Sequence, residues 1–479
     1  PEAPSPRART SLGARNQGMK LQATSQLPPS LTSFDLNLDS KARGNLTLVF
    51  SEPVDASTLD VGKITLYGSD DNEDTAISLT YDGSSTLSPD GTHIIVMMSG
   101  EDLKTIKLSD DIAVGKSYHC HAQVGVVTDD DEKYKCYWEH YIDAEREDAR
   151  PDRNVWLTIE AGAVQDTFTY LDAFGTQKVQ NDLIEVSYDD VMGVSNFTQD
   201  GTEPNLVSYD LDMDAALLTL YFDEPVRSFT LNVTYLTLMS AYSGNHTHQL
   251  TFDPYYGSGT LSDNDDFLEI NFGEIDVDNI KLEQWLAVDA DSTWLRIMPD
   301  AIEDMAGNGL FVQNYTWSVP VTSYTADTTG PELVSFDYDK TDGHFELRFT
   351  EPVRINTFDA SALTIQSVEK TGKTSTVTLT DDGTGVSNTD TRIVYLNISN
   401  DDLTELQADS TLATGQSDLF LRTTTSLCKD MAREKNKNVQ ILDGYALNVG
   451  PVLLSYTLDM DSGEVMLFFS EAVDSANNF

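Results

Sequence analysis

Apolar and polar side chains alternate along much of the chain with a period of two. Phe34, Leu36 and Leu38 alternate with Asp35, Asn37 and Asp39, and Leu46, Leu48 and Phe50 are separated by Thr47 and Val49. This spacing puts one row of apolar side chains on a single face of a strand, as a half-buried antiparallel sheet requires. The inward set returns as Leu218, Leu220, Phe222, as Phe345, Leu347, Phe349 and as Val465, Leu467, Phe469. Turn-forming clusters such as Asp82-Gly-Ser-Ser and Asp381-Asp-Gly-Thr-Gly separate the runs. Long stretches with helical periodicity are lacking, so the expected class is all-β.

The alternation belongs to a repeat. Leu31-Thr-Ser-Phe-Asp-Leu-Asn-Leu-Asp39 returns as Leu206-Val-Ser-Tyr-Asp-Leu-Asp-Met-Asp214, Leu333-Val-Ser-Phe-Asp-Tyr-Asp339 and Leu453-Leu-Ser-Tyr-Thr-Leu-Asp-Met-Asp461. A second landmark follows each: Phe50-Ser-Glu-Pro-Val-Asp55, Phe222-Asp-Glu-Pro-Val-Arg227, Phe349-Thr-Glu-Pro-Val-Arg354 and Phe469-Ser-Glu-Ala-Val-Asp474. A third closes the first three copies, at Trp156 to Asp166, Trp294 to Asp304 and Phe420 to Asp430. The motif serines advance from 33 to 208, 335 and 455, so the unit is about 120 residues long and the first copy carries an insertion. The expected organisation is a Pro-rich basic arm over 1–27, then repeats over 28–202, 203–329 and 330–449. A partial fourth follows over 450–479, and the insertion falls at about 117–152. A strand-and-turn unit of this size reads as a two-sheet Greek-key sandwich.

The Ser-Phe-Asp-Leu-Asn-Leu-Asp strand, the Phe-Ser-Glu-Pro-Val-Asp landmark and the closing Ala-Ile-Glu-Asp304-Met-Ala-Gly-Asn308 resemble the Ig-like repeats of surface-layer type. Such repeats are strung in tandem in long extracellular and appendage proteins of microbes and algae. The resemblance runs from Pro28 to Phe479, with the insertion as its main departure. It implies tandem Ig-like sandwiches joined by short linkers, and the repeat serves adhesins, surface layers and appendages alike.

Charge narrows the partners. With 30 Lys and Arg against 79 Asp and Glu, the formal net charge is −49. Phosphate backbones and anionic lipid repel such a chain, so nucleic acid is an unfavourable partner. No run approaches the ~20 apolar residues of a membrane span. Against this background the arm stands out, since Arg7, Arg9, Arg15 and Lys20 oppose only Glu2 within the first 20 residues.

Chemistry-bearing residues are few. Cys120 and Cys136 lie in the insertion with His119, His121 and His140. The spacing lacks the Cys-x-x-Cys signature of a zinc site, and a disulfide is the favoured reading, worth about 3 kcal/mol for a loop of this length. The lone Cys428 is aligned with Gln165 and Glu303 at a tolerant position, and is expected to be inert. Carboxylates spaced by two, as at Asp210, Asp212 and Asp214, and the acidic turns at Asp304, Asn308 and Asp327 raise the question of Ca²⁺ at the domain junctions. The EF-hand pattern fails, because counting from Asp210 puts Ala215 where Gly is needed and Tyr221 where Glu is needed. The recurrent Glu52, Glu224, Glu351 and Glu471 are expected to face solvent or cap a backbone N–H beside their proline. His246 and His248 share a strand face and read as surface residues. Sequons at Asn45, Asn196, Asn232, Asn245, Asn314 and Asn397 could carry glycans in an N-glycosylating host. No nucleophile elbow, phosphate loop or zinc-helix motif is present, so no enzyme, no catalytic residue and no cofactor is expected.

Both ends call for a neighbour. The arm needs an acidic surface, and the fourth copy as far as Phe479 leaves the apolar Leu458, Leu467 and Phe469 without a second sheet. The leading expectation is an extracellular, secreted or cell-surface structural subunit that assembles with itself head to tail through its termini. The alternative is a fragment of a longer adhesive or carbohydrate-binding surface array. A secreted hydrolase with Ig-like spacers ranks third.

Overall fold

The computed structural model describes residues 27–112, 155–431 and 453–469, apart from short stretches inside these ranges. The basic arm, the cysteine-bearing insertion and the chain's last ten residues lie outside them. By contact, the chain divides into two compact units. The first comprises residues 1–103, 111–113 and 152–198, and the second comprises 104–110, 114–151 and 199–479.

The architecture is all-β and repeats as expected. In repeat 1 a five-stranded sheet runs in the order Asn196–Thr198, Leu31–Asn37, Asn45–Phe50, His93–Met97, Ser85–Leu87. A four-stranded sheet runs Met192–Gly193, Trp156–Ile159, Ile64–Tyr67, Ile77–Ser78. Repeat 2 reproduces both sheets. Its larger one is built on Leu206–Asp212, Leu217–Val226 and Asp265–Asn271, its smaller one on Leu236–Met239 and Trp294–Ile297. Repeat 3 sets Leu333–Asp339, His344–Arg354 and Thr391–Asn397 against a three-stranded sheet centred on Leu363–Gln366. The fourth copy is a hairpin of Leu453–Asp459 and Glu464–Phe469.

Register confirms that the motif copies are structural equivalents. Leu31 faces Phe50, Leu206 faces Phe222, Leu333 faces Phe349 and Leu453 faces Phe469. Each pair is followed by the same bulge at the motif serine. The alternation fixes which face is buried, because a slip of one residue would turn the whole row outward. In repeat 2 that face packs Tyr209, Leu211, Leu218, Leu220, Leu268 and Ile270 onto Leu236, Leu238 and Leu295 of the other sheet. Each fully buried Leu or Ile contributes roughly 1.5–3 kcal/mol. Repeats 1 and 2 both close with a strand that runs parallel to the opening strand, pairing Asp35 with Asn196 and Asp210 with Ser323.

Three α-helices occur among the described residues, and the alternation gave no hint of them: α1 (Gly100–Leu108), α2 (Glu274–Leu282) and α3 (Asn400–Ala408). Each follows the third strand of a larger sheet. Ser99 and Ser399 cap α1 and α3 by accepting from the amides of Asp102 and Asp402 at 3.0 and 3.1 Å. Two turns of helix are too short for a hydrophobic period to stand out from the flanking strands. The three are nevertheless homologous in sequence. Asp102, Asp276 and Asp402 are each followed four residues later by Ile106, Ile280 and Leu406, and five residues later by Lys107, Lys281 and Gln407.

Candidate functional site

The buried aspartate of each helix ties it to a loop of its own repeat. Asp102 accepts from the Thr80 amide at 2.8 Å and its hydroxyl at 2.9 Å, and Asp402 accepts from both groups of Thr380 at 2.9 Å. Asp276 accepts from the Thr251 amide at 3.0 Å, from the Ser258 hydroxyl and from His248 Nε2 at 2.6 Å. Burial alone would raise the Asp276 carboxyl, but the bonds from His248, Ser258 and Thr251 outweigh it and hold it below the ordinary carboxylate range. Ser, His and Asp are therefore neighbours here without forming a nucleophilic triad. The aspartate stands between the other two, so the hydroxyl bonds the carboxylate and not the imidazole. His246 bonds Glu283 at 2.8 Å. The two histidines thus fasten α2 and its C-terminal end rather than stand free on the surface.

The end of each helix carries the most concentrated chemistry. Lys281, in the last turn of α2, meets Glu351 of repeat 3 and, at 3.0 Å, Asp327 of the linker. All three side chains are nearly buried. The glutamate of the second landmark is thus turned inward, which corrects the expectation that it faces solvent. The reason lies in the neighbouring proline. Strand pairing between His344–Arg354 and Thr391–Asn397 is interrupted between Arg348 and Val353. Pro352 falls in that gap, where no ladder N–H is needed, and the glutamate beside it is free to leave the strand face. Asp430, from the closing landmark, pairs across from Val353.

The same construction occurs at the start of repeat 2, within the second compact unit. Lys107 meets Asp200 at 2.6 Å and Glu224 at 2.5 Å. Asp304 pairs across from Val226, so Asp200, Glu224 and Asp304 bring carboxylate oxygens within 4.8 Å of one another. The linkers that supply Asp200 and Asp327 share a pattern that sequence reading passed over: Asp200-Gly-Thr-Glu-Pro204 and Asp327-Thr-Thr-Gly-Pro331. The second linker is anchored where Asp214 accepts from the amides of Thr328 and Thr329, both at 2.7 Å.

Burial and charge compete inside these clasps. Burial pushes the Glu351 carboxyl up, Lys281 pulls it down, and Asp327 and Asp430 push it up again, leaving it at about 7. Glu224 is raised by burial, lowered by Lys107 and raised by Asp200, and reaches about 8. For both lysines burial disfavours the charge, but the facing carboxylates win and hold the ammonium above its ordinary range. Near neutral pH each landmark glutamate is therefore close to its own titration range beside a charged ammonium.

Of the calcium candidates, Asp304 and Asn308 are brought together and Asp327 stands in the other cluster. Asp304 joins the first cluster and Asp327 the second. Asn308 lies in a turn in which its amide donates to Asp304 Oδ1 and its side chain to Oδ2, both at 2.8 Å. With Asp304 bound to Asn308, and Asp200 and Glu224 bound to Lys107, an internal ammonium fills the role a divalent cation would have, and the donor set does not call for calcium. Beside the second clasp lies a cleft of about 610 Å³, lined by Met213, Leu286, Tyr324, Lys281, Arg354 and Asp390.

The remaining sequence candidates are scattered. Asn196, Asn232, Asn245 and Asn397 are exposed and Asn45 is half-buried. Asn314, Cys120, Cys136, Arg7, Arg9, Arg15 and Lys20 fall outside the described residues, as do the side chains of Leu458 and Phe469. Leu467 is 40% exposed on the hairpin. Cys428 is fully buried in the core of repeat 3, where burial pushes its thiol far up. It occupies the place of Ile302 and Val164, not that of Glu303 and Gln165, because Asp430 and Asp304 both face the landmark valine.

No family model matches the chain, and no curated protein matches it. Among solved structures, a fragment of Escherichia coli alpha-2-macroglobulin spanning domains MG0-NIE-MG1 is 9% identical, with 78% of this chain and 98% of that one covered and a TM-score of 0.19. The S-layer protein rSbsC is 12% identical over 94% of this chain and 59% of its own, with a TM-score of 0.18. The titin fragment I67-I69 is 9% identical over 78% and 89%, with a TM-score of 0.14. With TM-scores this low, the likenesses carry no weight on what the chain does. No helix among the described residues is long and apolar enough to cross a membrane.

Proposed function

We propose that this chain is a structural subunit of an extracellular filament or cell-surface appendage, without catalytic activity, whose copies join head to tail. The observation that carries the reading is the recurrent clasp. The landmark glutamate, the linker aspartate and the helix lysine recur along the sequence, and within the second compact unit all three join repeat 2 to repeat 3. A chain organised around a ligand or a reaction would concentrate its chemistry in one repeat. This one spends it at the joints, which suits a protein whose task is to hold distance and direction. The high negative charge, the local cysteine pair and the sequons agree with a secreted or surface location, and the resemblance to surface-layer Ig-like repeats points the same way.

The test is electron microscopy of the purified chain, compared with a variant lacking residues 1–27. Long regular fibres from the parent, shortened or lost on truncation while the sandwiches stay folded, are expected. Separate single particles from the parent would overturn the reading. A second reading, a carbohydrate-binding surface protein, draws on Tyr242 and Trp285 of repeat 2, aromatic residues of a type that sugars stack on, which are 46% and 49% exposed. Quenching of tryptophan fluorescence by soluble glycans would favour it.

A further inference from the structure

Each joint contains a second set of ion pairs, and here the two joints differ in sign. Lys104 of α1 meets Asp265 at 2.5 Å and Asp266 at 2.9 Å. Along α2, Asp278 accepts from Arg392 Nε at 2.9 Å and Nη2 at 2.5 Å, and Glu274 accepts from Arg348 at 2.9 Å and lies 3.5 Å from Arg392 Nη1. These are the same places in the fold. Lys104 and Asp278 each stand two residues after the buried helix aspartate, Asp102 or Asp276. On the receiving side, Leu220 pairs with Leu268 and Leu347 pairs with Val394, so two residues back along the strand Asp266 and Arg392 are equivalent. The charges on both sides have been exchanged, while Lys107 and Lys281, and Glu224 and Glu351, are unchanged.

A joint is thus made of a constant part and a variable part. The constant ammonium and glutamate attract in any combination of helix and repeat. The variable part attracts only in the native order. Lys104 set against Arg392 would place two cations together, and Glu274 and Asp278 set against Asp265 and Asp266 would gather four carboxylates. Like charges facing one another across a contact disfavour the wrong partner by more than the right pair gains.

We infer that the variable pairs are an address: α2 accepts a sandwich face bearing two guanidinium groups, α1 accepts one bearing carboxylates, and each rejects the other's partner. Similar sandwiches linked in one chain face a problem of order, which grows when many copies lie side by side, because the constant clasp cannot tell one repeat from another. The variable pairs solve it whether or not copies assemble. In α3 the two places are Thr404 and Gln407, so these positions carry neither sign.

The test uses the full chain and hydrogen exchange at the amides of the linker, Thr328 and Thr329, and of α2. Changing Asp278→Lys gives α2 the sign of α1 and should speed exchange there on the order of tenfold, the scale of coupling measured between contacting groups. Adding Arg392→Asp, which gives repeat 3 the sign of repeat 2, should return exchange to within about threefold of the parent. Core amides of Leu347 and Val394 report whether the sandwich itself remains folded. If Arg392→Asp perturbs that core, Glu274→Lys with Asp278→Lys against the parent repeat 3 asks the same question from the helix alone. The address is refuted if Asp278→Lys leaves the linker as protected as before, or if the double variant is no better protected than the single changes combined.

Discussion

The two lysine clasps share their residues and differ in how those residues crowd one another. At the first, the charge of Asp200 and its closeness to Glu224 add to burial in raising Glu224 to about 8. At the second, Asp327 and Asp430 act on Glu351 through charge, and Glu351 reaches only about 7 although it is mostly buried. Of the two glutamates, the one at the first joint therefore keeps its proton to higher pH. The comparison teaches that an opposite charge does not by itself keep a buried acid ionised: burial and the nearest second acid decide.

The most forceful way to break the comparison is to remove the ammonium. Lys281→Met leaves Glu351 and Asp327 without their counter-charge, and loss of one partner of a buried pair costs about 3–5 kcal/mol. Removing both ions together in Lys281→Met with Glu351→Leu should restore most of it, since replacing a buried pair with apolar groups is close to neutral. Denaturant unfolding of the four members of the cycle measures both numbers. If the double variant is as unstable as the single one, the pair acts through geometry rather than charge.

Changing pH separates the two joints. Both glutamates are raised by folding, so each contributes stability that is complete below the ordinary glutamate value and is lost as pH rises through its folded value. The Glu351 joint should weaken between roughly 4.5 and about 7, and the Glu224 joint should go on weakening until about 8. The slope is at most about 1.4 kcal/mol per pH unit. Glu351→Gln should flatten the first transition and leave the second unchanged. Exchange rates at α1 and α2, corrected for the intrinsic effect of pH, would reveal a single shared transition if the distinction is false.

The helix aspartates sharpen the picture by a smaller amount. Asp402→Ala strips the Thr380 amide and hydroxyl of their acceptor and should cost about 1–3 kcal/mol. Asp276→Ala should cost more, because Ser258 and His248 lose their acceptor as well. Thermal unfolding of the two variants ranks them, and equal losses would show that the extra bonds at Asp276 add nothing.

The sequence carried the sandwiches and their register almost completely, because a period of two along Phe34, Leu36, Leu46 and Leu48 reports directly which face is inside. It carried the joints poorly. Glu224 and Glu351 were visible as a repeated position, but whether a glutamate beside a proline points to water or into a joint depends on a gap in strand pairing that no local pattern records. Lys107 and Lys281 were legible only by aligning three helices too short to declare themselves. Cys428 shows the same limit in miniature: a shift of one place in the alignment moved it from the core to the surface.

The parallel closing strands carry one more consequence. Because Asn196–Thr198 runs in the same direction as Leu31–Asn37, and Ser323–Thr325 in the same direction as Leu206–Asp212, the chain enters each of these repeats at one pole and leaves at the other. Tension applied along the chain then slides the first and last strands past each other. The rungs between them share the strain side by side, whereas peeling a hairpin breaks its rungs one after another. Such a repeat yields to heat or denaturant by losing its core, but under a pull it must first shear the pair Leu36 and Phe197 with both its neighbours at once. Resistance to stretching is thus written into the direction of a three-residue strand.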